Sequence, residues 1–163
     1  MKKILAAMIA VSVLMISTAT QAAESIYYVV RHAEKMDGDD PLLTAKGLRR
    51  AAHISGMLKD APIKAIYSTL TNRTIMTATA TAADKGIAVQ LFSTDDLSGF
   101  ADALKAQIGV FLIVAHSSST PDLASLLSGT KQPKLAETDF EQLFKVTITD
   151  GDAVLAKMVT TFE

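Results

Sequence analysis

Four short runs of apolar residues, rich in β-branched and aromatic side chains, punctuate the chain near residues 26–30, 65–67, 88–92 and 111–115. Unbroken apolar runs belong to strands covered on both faces, which is how parallel strands sit. Between them, apolar positions recur at helical spacing. The alternation predicts an α/β fold, a single three-layer domain with a mostly parallel central sheet flanked by helices. The first helix opens near Thr44, a capping residue type, and carries Leu48, Ala51, Ala52, Ser55 and Leu58. A second starts about Arg73, passes Ile75, Ala78 and Ala82 to Lys85, and stops at Gly86. A third covers 97–106, and a fourth follows Pro121, a residue suited to a first helical turn. The end of the chain differs: alternating runs at 144–149 and 153–160 flank Asp150-Gly151, which predicts a C-terminal β-hairpin.

The N-terminus carries Lys2 and Lys3, an apolar run over 4–16, and small residues through Ala22 and Ala23. That order is a secretory signal peptide, and the run is shorter than the ~18 residues of a membrane-spanning helix. The expected organisation is a signal peptide over 1–22 and one domain over 23–163, with cleavage after Ala22 or Ala23. The mature chain is then exported, periplasmic or secreted, and keeps no stable membrane insertion. Without Lys2 and Lys3 the chain has 14 basic and 17 acidic residues, a net charge of −3. No basic tract interleaved with aromatics argues for nucleic acid. Cysteine is absent, which removes disulfides and thiolate metal sites.

Polar chemistry collects where apolar runs end. Val29-Val30-Arg31-His32-Ala33-Glu34-Lys35 places an arginine and a histidine at the close of the first run. The carboxyl ends of strands are where open α/β sheets hold ligands. A histidine there can act as a nucleophile, and an arginine beside it can hold an anion. A single histidine after a strand is more often a hydrogen-bonded loop residue, so other segments decide. The second run leads through Ser68-Thr69-Leu70-Thr71-Asn72-Arg73 into a helix, and the fourth ends on Ala115-His116-Ser117.

Those blocks resemble the histidine phosphatase superfamily, also called phosphoglycerate mutase-like. Its motif is Arg-His-Gly or Arg-His-Ala after the first strand, as at Arg31, His32 and Ala33. Ser68, Arg73, Thr77 and Ala78 fall into the family's Ser-x-x-x-x-Arg-x-x-x-Thr-Ala pattern, and Leu43-Thr44-Ala45-Lys46-Gly47 resembles its Leu-Thr-x-x-Gly helix start. His116-Ser117 matches the second histidine, with Ala115 replacing the usual glycine. The resemblance spans about residues 26–160. It implies a phosphomonoesterase of the histidine acid phosphatase type. In it, His32 takes the phosphoryl group as phosphohistidine, Arg31 and Arg73 grip the phosphoryl oxygens, and His116 completes the cradle. No cofactor or metal is implied. The partners expected are a phosphorylated small molecule, glycan or phosphoprotein, because the short chain leaves room for an open pocket only.

A general acid is less defined. Asp95 and Asp96 follow the second helix, where many family members carry one, but either also suits a cap on the third helix. Glu34 is another candidate, or one half of a loop ion pair with Lys35. His53 sits in a helix beside Arg49 and Arg50 and reads as a surface or boundary residue. A second reading of the whole chain is a non-catalytic binder of a phosphorylated or anionic envelope component.

Overall fold

The computed structural model describes residues 23–162, so the expected signal peptide over 1–22 lies outside the described residues. The elements run β1 (Glu24–Arg31), α1 (Ala45–Met57), β2 (Ile63–Ser68), α2 (Asn72–Lys85), β3 (Val89–Leu91), α3 (Leu97–Lys105), β4 (Val110–Ala115), α4 (Ser119–Ser128), β5 (Gln142–Thr149) and β6 (Asp152–Val159). They build one six-stranded sheet in the order β3-β2-β4-β1-β5-β6. The first four strands in that order are parallel, and β5 and β6 extend the sheet antiparallel. Both hairpin strands join the sheet. Their turn holds Asp150 at φ 51° and Gly151 at φ 93°, the paired positive dihedrals of a tight hairpin that glycine adopts without steric cost.

Alternation along β1 and β4 divides the core. Tyr27, Val29, Phe111 and Ile113 pack on one face with Leu104, Leu123 and Leu127 of α3 and α4. Tyr28, Val30, Leu112 and Val114 pack on the other with Ile54, Ala78 and Ala82 of α1 and α2. This double burial is why the strands read as unbroken apolar runs. No helix among the described residues is long and apolar enough to cross a membrane.

The helices depart from the hydropathy reading in their details. In α1 the buried positions are Gly47, Arg50, Ala51, Ile54 and Ser55. Leu48 and Ala52, expected on that face, are exposed, and Arg50 is inside. The face turns because Arg50 finds a partly buried carboxylate, described below. The inner face of α2 is largely threonine, with Thr74, Thr77 and Thr81 beside Ala78 and Ala82. The Thr74 and Thr77 hydroxyls bond to nearby backbone, which hydropathy does not register, and the Thr81 hydroxyl is buried without a partner among the described residues. α4 starts two residues before Pro121, leaving the proline within the first turn, where its missing N–H costs nothing.

Candidate active site

β1 and β4 pair in parallel with Arg31 opposite Ala115, and the His32 amide donates to the Ala115 carbonyl at 2.9 Å. His32 and His116 therefore leave adjacent strands side by side, ring centroids 5.6 Å apart and nearly edge-to-face. The helix after β1 lies on one face of the sheet and the helix after β4 on the other. That divergence opens the crevice in which such sheets hold ligands. β2 ends on the far side of β4, with Ser68 opposite Val114, and the following turn delivers Arg73 in the first turn of α2. Arg31, His32, Arg73 and His116 thus meet at one end of the sheet, and both arginines act electrostatically on both histidines.

The loop carrying His32 is held from two sides. The Ala33 amide donates to Thr77 Oγ1 at 3.0 Å, and that hydroxyl donates to the Arg73 carbonyl at 2.7 Å. Thr44 caps α1 by accepting from the Gly47 amide and donates to the Glu34 carbonyl. Gly47 lies so close to this loop that a Cβ there would collide with the Glu34 carbonyl oxygen. His32 Nδ1 is 2.8 Å from the Ala33 carbonyl oxygen. A carbonyl only accepts, so Nδ1 carries the hydrogen and Nε2 holds the lone pair. Burial lowers the His32 pKa to about 4 against a partial rise from the Ala33 hydrogen bond, with Arg31, His116 and Arg73 adding to the fall. The ring is neutral at pH 7, and burial does more to keep it so than the arginines do.

Burial, then Arg73 and Arg31, also hold His116 below the usual imidazole range. Its Nε2 lies 2.9 Å from Thr69 Oγ1, which in turn donates to Thr74 Oγ1 at 3.1 Å. With the Thr69 hydrogen so placed, the imidazole N–H is the donor in the first contact. Its backbone amide donates to Ser119 Oγ at the start of α4.

Arg31 is only 1% exposed, and much of its guanidinium is already engaged. Nη1 donates to the carbonyls of Ala136, Glu137 and Asp139 at 2.8, 3.0 and 3.0 Å. Nη2 donates to Glu137 Oε2 at 2.9 Å, and the guanidinium lies 4.3 Å from the Phe140 ring centroid. Burial lowers the Arg31 pKa and Glu137 opposes that shift. The Nε atoms of Arg31 and Arg73 are buried and have no hydrogen-bond partner among the described residues. Such orphaned buried donors call for an explanation, and a bound anion supplies one. Arg73 Nη1 is 3.5 Å from Asp40 Oδ1.

Glu137 is the residue the sequence reading missed. Its side chain is 81% exposed, yet its carboxylate bridges Arg31 at the end of β1 and the Ser117 hydroxyl beside His116. The Ser117 hydrogen bond and the Arg31 charge hold its pKa below the usual range, so it stays ionised.

The three candidate acids are occupied elsewhere. Asp96 caps α3, accepting from the Gly99 amide at 2.8 Å, and Asp95 accepts from Ser93 Oγ at 2.8 Å. Glu34 pairs with Arg50 through two bonds of 2.8 and 2.9 Å, and Lys46 adds a contact at 3.3 Å. The expected Glu34–Lys35 loop pair is thus replaced by a pair with the buried Arg50. Burial pushes the Glu34 carboxyl up, and the Arg50 hydrogen bonds with the Arg50 charge more than offset this, leaving it below its ordinary value. Arg50 Nη1 continues to the Thr160 carbonyl at 2.6 Å, tying the active-site loop to the chain end. His53 is half-buried against Phe162, at the boundary expected of it.

Residues 27–98 match the profile of the histidine phosphatase superfamily (branch 1). The matched stretch holds Arg31, His32 and Arg73, and His116 lies beyond it. Solved structures extend the likeness of fold over the rest of the domain. One is the protein histidine phosphatase SixA complexed with tungstate, at TM-score 0.67 and 16% identity, covering 83% of this chain and 97% of that one. A second is phosphoserine phosphatase from Entamoeba histolytica in complex with 3-phosphoglyceric acid, at 0.65 and 16%, covering 84% and 98%. A third is phosphoglycerate mutase from Bacillus anthracis str. Sterne, at 0.60 and 16%, covering 84% and 93%. At such identities these structures establish the architecture alone. No curated protein sequence matches the chain.

Proposed function

We propose that this protein is an exported, metal-independent phosphatase of the histidine acid phosphatase type that acts through a phosphohistidine on His32. One observation carries the reading. His32 is a neutral, buried imidazole whose Nδ1–H is held by the Ala33 carbonyl, so the Nε2 lone pair is the free one, between two arginines. In the first step Nε2 attacks phosphorus, an N–P bond forms, and the bond to the leaving group breaks with its electron pair going to that group. In the second step water attacks phosphorus and the N–P bond breaks, which returns the lone pair to Nε2 and releases inorganic phosphate. Arg31 and Arg73 supply positive charge to the equatorial oxygens, where such transition states carry their charge, and the neutral His116 serves as a hydrogen-bond donor once its N–H turns from Thr69.

Asp95, Asp96 and Glu34 are engaged elsewhere and Glu137 is ionised, so none of these four carboxyls is poised to protonate a leaving oxygen. The chemistry therefore suits leaving groups that depart without much help. The protein histidine phosphatase SixA among the structural neighbours adds a phosphoprotein to the substrate classes that fit, beside small phosphomonoesters and phosphorylated glycans. Export rests on Lys2, Lys3 and the apolar run over 4–16, and N-terminal sequencing of the protein from the periplasmic fraction tests it. The engagement of Arg31 by Glu137 and three carbonyls favours one alternative, a site that holds an anionic envelope component without turnover.

Turnover decides between the two. Purified mature protein is given an aryl phosphate, several biological monoesters and a phosphoramidate, with and without EDTA. The proposal expects EDTA-insensitive hydrolysis that Arg73→Ala or His116→Ala lowers by at least ~100-fold in kcat/KM, as for loss of one preorganised donor. Tight phosphate binding with no turnover of any donor supports the binder.

A further inference from the structure

A cleft of about 480 Å³ opens directly beside His116, walled by Leu70, Thr71, Leu91, Phe92 and Thr94. We infer that this cleft receives the group that carries the phosphoryl, and that the group is an uncharged, flat ring such as a phenol or an imidazole. The inference rests on the phosphatase reading above and names the substrate class of that site.

Position comes first. His116 belongs both to the anion cradle and to the cleft wall, so a phosphate ester seated in the cradle before attack has this space beside it for its leaving group. The composition of the walls then selects. None of the lining residues is charged, apart from the imidazole of His116, which is neutral at pH 7. Asp95 and Asp96 follow Thr94 immediately at the rim. A leaving group bearing its own carboxylate, such as a phosphoglycerate or phosphoserine, finds no cation to pair with there and meets two acidic neighbours.

The apolar surface is unusually open. Leu70 is 73% exposed in the bend after β2, and Leu91 is 53% exposed at the end of β3, where it pairs with Ser68. Covering such side chains on binding is favourable at about 25 cal/mol per Å². Phe92 supplies a fixed flat wall. Its amide donates to the Ser68 carbonyl at 3.0 Å, and its ring stacks on Phe100 with centroids 4.2 Å apart and 7° between planes. A ring entering the cleft gains offset stacking from a surface that does not have to be ordered first. The Thr71 and Thr94 hydroxyls at the rim can bond polar atoms of the ring without adding charge.

The test uses non-hydrolysable phosphonates on the wild-type protein, so that binding is read without turnover. Dissociation constants are measured by calorimetry for methylphosphonate, benzylphosphonate and 2-carboxyethylphosphonate. The inference expects benzylphosphonate to bind at least ~10-fold tighter than methylphosphonate, from stacking and apolar burial together, and 2-carboxyethylphosphonate to bind weakest. Leu91→Asp is expected to bring the benzyl-to-methyl ratio close to one. Equal affinities, tightest binding of the carboxyethyl compound, or a ratio that Leu91→Asp leaves unchanged overturns the ring-binding role while the phosphate cradle stands. If none of the three binds, the phosphatase reading itself falls, and this inference with it.

Discussion

His32 is buried in the folded chain with a pKa of about 4, against an ordinary 6.5, and this leaves a mark on stability that does not depend on any substrate. Near pH 7 the ring is neutral whether the chain is folded or not, and the group contributes no pH dependence. As pH falls below 6.5, the unfolded chain takes up a proton that the folded chain refuses, so acid favours unfolding until the folded pKa is reached. A gap of about 2.5 pH units corresponds to ~3.4 kcal/mol at its limit, of which ~2.5 kcal/mol has developed by about pH 4.5. His32→Asn is the reference variant, because its amide nitrogen can donate to the Ala33 carbonyl as Nδ1 does and it does not titrate. Denaturant unfolding of both proteins, at about pH 7.5 and about pH 4.5, should show the wild type losing ~2–3 kcal/mol more than the variant. Parallel losses would refute the buried neutral imidazole. A wild type that gains on the variant in acid would mean that the folded pKa is raised, and the nucleophile would be protonated near neutral pH.

Two further outcomes separate structural carboxylates from catalytic ones. Glu34→Gln should lower unfolding stability by ~1–3 kcal/mol, the cost of weakening a buried charged hydrogen-bond pair, while the ratio of alkyl to aryl phosphate hydrolysis stays as in wild type. A selective loss of alkyl phosphate activity would make Glu34 the acid. Asp96→Asn should still cap α3, since Asn and Asp cap about equally well, and should hydrolyse both ester types nearly as before. A loss of ~100-fold or more on alkyl esters alone is the signature of a missing general acid.

The parts of the site that the sequence reveals are those that end an apolar run. Arg31, His32 and His116 stand at strand ends, and Arg73 stands at a helix start, so their positions follow from local pattern. The same pattern gives the layer order and the hairpin, because strands buried on both faces and the Asp150-Gly151 turn leave plain local signals. Glu137 leaves none. It lies in an irregular segment more than a hundred positions from the arginine it holds, and only the closed fold brings the two together. Arg50 is hidden for a related reason: its burial depends on Glu34, sixteen positions earlier, so hydropathy places it outside and rotates the inner face of α1. The threonine face of α2 escapes because hydroxyls satisfied by nearby carbonyls, as at Thr74 and Thr77, pack like apolar groups.

The central claim is that phosphorus bonds to Nε2 of His32. Wild-type protein mixed with a labelled phosphoryl donor and quenched rapidly without acid should yield a phosphoenzyme that survives alkali and is lost in acid. Peptide mapping should place the label on His32, and phosphorus NMR or chromatography of the released amino acid should identify the Nε2 isomer. His32→Ala should trap no label and turn over no substrate. Label on serine, threonine or aspartate, or on Nδ1 of His32, would contradict the account.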